Sequence, residues 1–349
     1  MESQIFPRAD HRLAALHAWL DTLSPALGIA STTLRRASSD ASFRRYFRVD
    51  LHEGSAIIMD APPEHEDCGP FLHIAERLRQ AGLKVPRILA QDCDQGFLLL
   101  SDLGTHTYYQ AIQEGLDDAS LQRLYRPALH ALVRMQQAPC GDLPRYDGRG
   151  LGEELALFQA WYVEKHWGAT LTDQEAAALG EVFANLAADT ASQPTVLVHR
   201  DYHSPNLMLP ITADGEPGII DFQDAVAGPI TYDIASLVTD ARTTWEEDQQ
   251  LDWAIRYWEA ARAAGLPVGG DFALFHRAYE WMSLQRNLRI LGVFVRLSHR
   301  DGKHHYLDHL PRVNGYVRQV ASRYGAFRPL MRVLDRLEGR QPVNPLQPL

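Results

Sequence analysis

At Ser101-Asp102-Leu103-Gly104 the chain changes from short extended runs to a succession of long helical ones, and this break limits what it can fold into. Upstream, residues 31–37, 43–50, 55–60, 87–93 and 97–101 read as short extended segments, the first three parted by Ser38-Ser39-Asp40-Ala41-Ser42 and Leu51-His52-Glu53-Gly54. That pattern predicts a small sheet with hairpin loops. Helical spacing through Leu13, Leu16, Trp19, Leu20 and Leu23 predicts a helix over 10–27 that closes near Pro25, and a second helix falls at about 66–81. Downstream, 106–114, 119–137, 152–167, 173–189, 247–264, 271–297 and 313–337 read as helices. A chain of 349 residues exceeds the size at which one core usually stops growing. We therefore expect an α+β chain of two lobes, β-rich over 1–103 and helical over 104–349.

Inside the helical part lies a stretch that is not helical, His199-Arg200-Asp201-Tyr202-His203-Ser204-Pro205-Asn206-Leu207-Met208-Leu209, followed by Ile219-Ile220-Asp221-Phe222. Taken singly, Asp and Asn serve turns and helix caps. Taken together, an aspartate five positions before an asparagine and a second aspartate closing an apolar run supply what phosphoryl transfer from a magnesium nucleotide needs. One carboxylate receives the proton of the attacking hydroxyl. An amide oxygen and another carboxylate hold Mg²⁺, a hard ion that takes oxygen ligands. Asp201 is the predicted base, Asn206 and Asp221 the predicted metal ligands, and ATP with Mg²⁺ the predicted cofactors.

The remaining composition excludes several classes. With 34 basic against 44 acidic residues the net charge is −10, which argues against nucleic acid as a partner. Cys68, Cys93 and Cys140 are too few and too scattered for a disulfide framework or a zinc ribbon, and suit a reducing compartment. The first residues lack the basic start and apolar core of a secretory signal, and no apolar run reaches the roughly 18 residues of a membrane span. A soluble, cytoplasmic protein with no membrane association and no obligate protein partner is expected. His299, His304, His305 and His309 include an i, i+4 pair but no zinc motif surrounds them, so a surface helix is the reading.

His-Arg-Asp-x-x-x-x-Asn followed by Asp-Phe matches the catalytic-loop pattern of kinases, with Asp-Phe-Gln in place of Asp-Phe-Gly. Together with Gly228-Pro229-Ile230-Thr231-Tyr232-Asp233-Ile234, these residues resemble the aminoglycoside phosphotransferase superfamily. Longer strings are similar to the anomeric kinases of N-acetylmuramate and N-acetylglucosamine that serve peptidoglycan recycling. They are Ser39-Asp40-Ala41-Ser42-Phe43-Arg44-Arg45-Tyr46-Phe47-Arg48-Val49, Met59-Asp60-Ala61-Pro62-Pro63-Glu64, Phe97-Leu98-Leu99-Leu100-Ser101-Asp102-Leu103-Gly104 and Asp221-Phe222-Gln223-Asp224-Ala225. The likeness runs from about residue 12 to residue 335.

The resemblance implies a bilobal protein-kinase-like fold, with the nucleotide between the lobes and a small amino sugar phosphorylated on its anomeric C1 hydroxyl. It implies Asp201 as base and His203 as a further catalytic group or, equally, a loop histidine held by its surroundings. His199 and Asp233 would brace the loop rather than do chemistry. Ser39, Asp40, Ala41, Ser42, Phe43, Arg44 and Arg45 would cover the nucleotide phosphates, although this glycine-free segment also reads as an ordinary hairpin turn. Ser101, Asp102 and Leu103 would form the hinge beside adenine. Gln223, Asp224, Trp245 and Arg286 would contact substrate, while Trp161, Tyr162, His166 and Trp167 are read as core and cleft wall.

One departure stands out. Kinases place a lysine in the third strand, and Met59 occupies that position; the chain's three lysines, Lys84, Lys165 and Lys303, lie elsewhere. Arg44, Arg45 and Arg48 are the nearest cations, unless they merely form a solvated strand face. Two rival readings remain: a kinase of another hydroxyl compound such as an aminoglycoside, choline or homoserine, where a cationic acceptor would call for an acidic or aromatic pocket, and a nucleotide-binding regulatory module without catalysis. Met59 favours the latter and the intact Asp201, Asn206 and Asp221 oppose it.

Overall fold

A computed structural model of the protein describes residues 7–37, 43–210 and 215–340. The chain divides into two compact units, Met1–His106 with Met208–Asp224, and Thr107–Leu207 with Ala225–Leu349.

The first unit opens with helix α1 (Pro7–Leu27), which continues past Pro25 by two residues and ends at Gly28, in the left-handed region at φ 63°. Strands β1 (Ala30–Arg36), β2 (Arg45–Asp50) and β3 (Ser55–Asp60) lead to helix α2 (Gly69–Gln80) and strands β4 (Ile88–Asp92) and β5 (Phe97–Ser101). The sheet is antiparallel in the order β1-β2-β3-β5-β4, and its register sets Tyr46 opposite Met59 and Arg45 opposite Asp60. Alternation along the strands gives two buried faces. Phe47, Val49, Ala56, Ile58, Phe97 and Leu99 cluster with Leu16, Trp19 and Leu20 of α1. Met59, Leu98 and Leu100, of opposite parity, are buried as well. Asp60, fully buried at the end of β3, ties α1 to the sheet by accepting Arg12 Nε at 2.9 Å and Arg45 Nε at 2.8 Å.

The second unit contains α3 (Tyr108–Glu114), α4 (Asp118–Gln137), α5 (Gly148–Leu157) and α6 (Asp173–Ala191), then β6 (Thr195–Val198). The two-residue strands β7 (Leu207–Met208) and β8 (Gly218–Ile219) pair with each other within the 208–224 stretch that, with Leu207 at its edge, belongs to the first unit; back in the second unit, β9 (Val226–Pro229) pairs with β6. Helices α7 (Tyr232–Val238), α8 (Glu247–Ala263), α9 (Phe272–Asp301), α10 (Leu310–Ala321) and α11 (Arg328–Leu337) complete the unit. Two features depart from periodicity. The helix expected over 152–167 is α-helical only to Leu157 and then widens to a π-helix over Phe158–His166, closed by Trp167 N–H donating to Tyr162 O at 3.3 Å. The single helix expected over 313–337 is two, because Arg323 and Tyr324 leave the helical path to donate to Glu280, buried on α9, and Pro329 then suits the first turn of α11.

Of the histidine group, His299 lies near the end of α9, whereas His304, His305 and His309 fall in a 3₁₀ turn, His304–His309. Among the described residues no cluster of His, Cys, Asp or Glu has metal-binding geometry, and no helix is long and apolar enough to cross a membrane.

Candidate active site

In the second unit, strand β6 delivers the chain to Asp201. Its partner β9 fixes the register, Val198 opposite Val226, and the backbone turns sharply at Arg200, whose φ of 76° is left-handed. A side chain in that region costs about 1–2 kcal/mol, so the turn needs support. Asp233 provides it from the first turn of α7: fully buried, it accepts His199 N–H at 2.7 Å and Arg200 N–H at 3.0 Å. Burial raises the Asp233 pKa to about 6, the positive charge near His199 and the two N–H bonds opposing it only partly.

Past Asp201 the loop folds back on itself. Asn206 N–H donates to His203 O at 2.9 Å, and Asn206 Nδ2 donates to Asp201 O at 3.0 Å. A second buried carboxylate, Asp240, accepts Ser204 N–H at 3.1 Å, the Ser204 hydroxyl and Arg242 N–H at 2.9 Å. Asp233 in the first turn of α7 and Asp240 two residues past its end thus let this one short helix fix both sides of Asp201.

Asp201 itself is 42% exposed and faces cations: His203 Nε2 at 3.8 Å and Arg286 Nη2 at 4.0 Å from Oδ1. Burial pushes its pKa up, but His203, Arg289, Arg286 and His199 outweigh that and hold it at about 2. Burial in turn lowers His203 to about 3, against the pull of Asp240 and Asp201. His203 is therefore neutral near pH 7, which leaves the two arginines to keep Asp201 ionised; His203 can offer a hydrogen bond but no charge. Glu154 of α5 holds the arginine side of this environment, accepting Arg200 Nη2 at 3.1 Å, Arg289 Nε at 3.0 Å and the Tyr146 hydroxyl. Arg286 is 3% exposed on α9, and Trp245 packs edge-on against Tyr125 and Trp253, with centroids 5.6 and 5.3 Å away. Tyr162 is buried in the π-helix and Trp167 is 39% exposed beyond it.

In the first unit Asp221 also takes a left-handed φ, 63°, and its carboxylate is exposed. Gln223 explains the missing glycine of the Asp-Phe-Gln run. Its buried amide donates through Nε2 to Asp221 Oδ1 at 2.8 Å and to Asp224 Oδ2 at 3.4 Å, a brace that glycine lacks. Phe222 is fully buried, 4.9 Å from Phe71 of α2. Asp102 accepts Arg48 Nε at 2.6 Å, Ser55 Oγ at 2.7 Å and Gly104 N–H at 2.9 Å, bonds that together hold its pKa down against burial. Ser101, Asp102 and Leu103 line a cavity of about 300 Å³ with Lys84, Arg87 and Gly218. Phe43 stacks on His65 at 4.4 Å, and Arg44 Nη2 pairs with Glu66 Oε2 at 2.8 Å. Ser39, Asp40, Ala41 and Ser42 lie outside the described residues.

Sequence reasoning missed Glu66, Glu154 and Asp240. Only Asp240 carried a local signal, since it follows the almost wholly apolar run Ile234–Val238 closely enough to be buried with it.

Known proteins resemble the chain over most of its length. The model of a family described as "Phosphotransferase enzyme family" matches residues 33–272. An N-acetylmuramate/N-acetylglucosamine kinase of Pseudomonas putida is 42% identical over 340 residues, 95% of this chain and 98% of that protein. One of the same name from Neisseria meningitidis is 41% identical over 335 residues, 95% of this chain and 98% of that protein. Among solved structures, an ethanolamine kinase of Plasmodium vivax superposes with a TM-score of 0.60 at 11% identity, covering 91% of this chain and 90% of that one. The ADP-bound aminoglycoside phosphotransferase APH(2'')-Ib gives 0.57 at 13% identity, covering 86% and 97%. These last two speak to the fold, which is the bilobal kinase-like one.

Proposed function

We propose that this chain, which belongs to the phosphotransferase enzyme family, transfers the γ-phosphoryl group of ATP to the anomeric C1 hydroxyl of N-acetylmuramate or N-acetylglucosamine. The observation that carries the reading is identity above 40% to N-acetylmuramate/N-acetylglucosamine kinases along nearly the full length of both chains. The presence of Asp201, Asn206 and Asp221 supports it.

Asp201, ionised at neutral pH, receives the proton of the C1 hydroxyl as the new O–P bond forms and the bond from the γ-phosphorus to the leaving ADP oxygen breaks. Arg286, buried beside it, keeps the carboxylate charged and oriented. Asn206 and Asp221 offer an amide oxygen and a carboxylate, the hard oxygen donors that Mg²⁺ takes. The donor chemistry fits: Asn206 commits its amide nitrogen to Asp201 O, which makes its oxygen the end that meets a cation, and Gln223 steadies Asp221. When bound, the ion would offset the negative charge of the nucleotide phosphates. Ser39–Ser42 would cover those phosphates, and the backbone of Ser101, Asp102 and Leu103 would meet adenine. Gln223, Asp224, Trp245 and Arg286 would shape the acceptor side, and His203 would contribute a neutral hydrogen bond. With such an acceptor the enzyme would serve peptidoglycan recycling, in the cytoplasm.

The test is ADP release with N-acetylmuramate, N-acetylglucosamine, glucosamine, kanamycin and choline, with the phosphate located on the product. The reading requires a 1-phosphate from an N-acetylated sugar and no reaction with its methyl glycoside, which lacks the anomeric hydroxyl. Comparable turnover of the methyl glycoside would overturn it.

A further inference from the structure

A nucleotide polyphosphate needs a fixed cation from the first unit, and the residue that a kinase uses for it is absent on both sides of its usual pair. In kinases a third-strand lysine is held by a glutamate of the following helix. Here Met59 fills the strand position, buried and uncharged. The helix offers no partner either: α2 buries Phe71, Ile74, Ala75 and Leu78, and its one acid, Glu76, is spent at the surface on Arg79 at 2.7 Å.

The three candidate arginines of the 43–50 segment differ sharply. Arg45 lies across from Asp60 and is consumed, with Arg12, by that buried carboxylate. Arg48 is bound to Asp102 through two nitrogens and to Gly104 O at 2.8 Å, so it organises the segment after β5. Arg44 is the one of the three whose partner lies on the segment leading into α2. It meets Glu66 at 2.8 Å, both side chains about 15% exposed, and Glu66 sits on the turn just before α2, its N–H on Pro62 O at 2.9 Å. The stacked Phe43 and His65 tie the same two segments together. Tyr46 locates the pair. It is the residue registered opposite Met59, it is hydrogen-bonded to Arg44, and it lies within the field of the Asp221 carboxylate. Arg44, Glu66, Tyr46, Met59 and Asp221 thus form one neighbourhood of the first unit.

We infer that Arg44, anchored by Glu66 and Tyr46, is the phosphate-binding cation of this enzyme, taking over from the β2 side the role that Met59 cannot fill on β3. The inference rests on the phosphotransferase reading above. Both members of the usual pair have moved together: the cation to the residue preceding β2, the carboxylate from the helix to the turn before it. A guanidinium suits the relocation, because its five N–H donors let one edge grip a carboxylate while the group also addresses phosphate oxygens.

The experiment measures ADP binding by calorimetry and steady-state kinetics for the wild type, Arg44→Ala, Arg44→Ala with Met59→Lys, and Arg35→Ala, an exposed strand arginine, as control. Arg44→Ala should weaken ADP binding and lower kcat/KM for the nucleotide by about ten- to a hundredfold. The sugar KM should stay within about twofold, as in the control. Adding a lysine at position 59 should restore much of the loss, which a merely structural role for Arg44 does not explain. Arg44→Gln serves if the alanine variant fails to fold. ADP affinity within about twofold of wild type for the Arg44 variant overturns the inference alone. A wild-type chain that binds no ADP overturns the reading beneath it.

Discussion

Asp233→Asn tests whether the loop before Asp201 is held from beneath. The carboxylate is fully buried and spends one oxygen on His199 N–H and the other on Arg200 N–H, at 2.7 and 3.0 Å. Asparagine keeps one acceptor and turns an NH₂ toward the other donor, so one charge-assisted bond is lost and a buried N–H is left unmatched. That costs about 1.5–3 kcal/mol. The strained Arg200, at φ 76°, is then free to relax, and relaxation displaces the residue after it, Asp201. A displacement approaching 1 Å at a catalytic group costs on the order of a hundredfold. We expect kcat to fall about ten- to a hundredfold while ADP affinity stays near wild type, read by steady-state kinetics and calorimetry, and urea unfolding to report the stability loss. The pH profile adds a second readout. Because burial sets the Asp233 pKa at about 6, the carboxylate takes up a proton and loses an acceptor as pH falls through 6. Wild-type kcat should therefore decline on the acid side of about pH 6, whereas Asp233→Asn, which cannot titrate, should lack that limb. Wild-type kcat in the variant, or an unchanged acid limb, would refute the bracing argument.

Three further outcomes can be checked directly. Asp201→Asn should lower kcat by about 10²–10⁴-fold with ADP binding retained, because the base acts only as the proton moves; near-normal turnover removes it from the chemistry. Gly292→Ala drives a Cβ into Leu157 O, so α9 must move off the end of α5, and unfolding should report a loss of about 1–3 kcal/mol; an unchanged stability would mean the crossing is looser than described. Asp60→Asn removes the charge shared by Arg12 and Arg45 and should cost about 3 kcal/mol, the low end for a broken buried pair because both guanidinium groups reach solvent, with urea unfolding as the measure.

The strands were readable because each is short and bounded by turn residues, and the structure shifts their ends by at most two residues. The loop that carries Asp201 and Asn206 was readable as a non-helical stretch, and the role proposed for it rests on the spacing of Asp201, Asn206 and Asp221 along the chain. The residues that tune them were not. Glu154 comes 46 positions before Arg200 and Asp240 36 positions after Ser204; the apolar run before Asp240 marks its burial, but nothing local names the partner of either. Arg44 illustrates the limit more sharply. In the sequence it is one of three equivalent cations, and only the pairing of Arg45 with Asp60 and of Arg48 with Asp102 separates it from the other two. The same tertiary pull explains the broken C-terminal helix, where Glu280 draws Arg323 and Tyr324 off a periodic path.

The charge balance around Asp201 also bears on the proposed acceptor. A carboxylate whose pKa is held at about 2 is ionised at any working pH but is a poor base, and raising its basicity would require removing Arg286 or Arg289, the groups that keep it charged. Such a base suits a hydroxyl that gives up its proton readily. An anomeric hydroxyl is more acidic than an ordinary alcohol, and its acidity rises further as its oxygen bonds to phosphorus, so the proton can pass to Asp201 late in the transfer. A weak, permanently ionised carboxylate framed by arginines is thus matched to an acidic acceptor and to catalysis by positioning and charge stabilisation rather than by strong base.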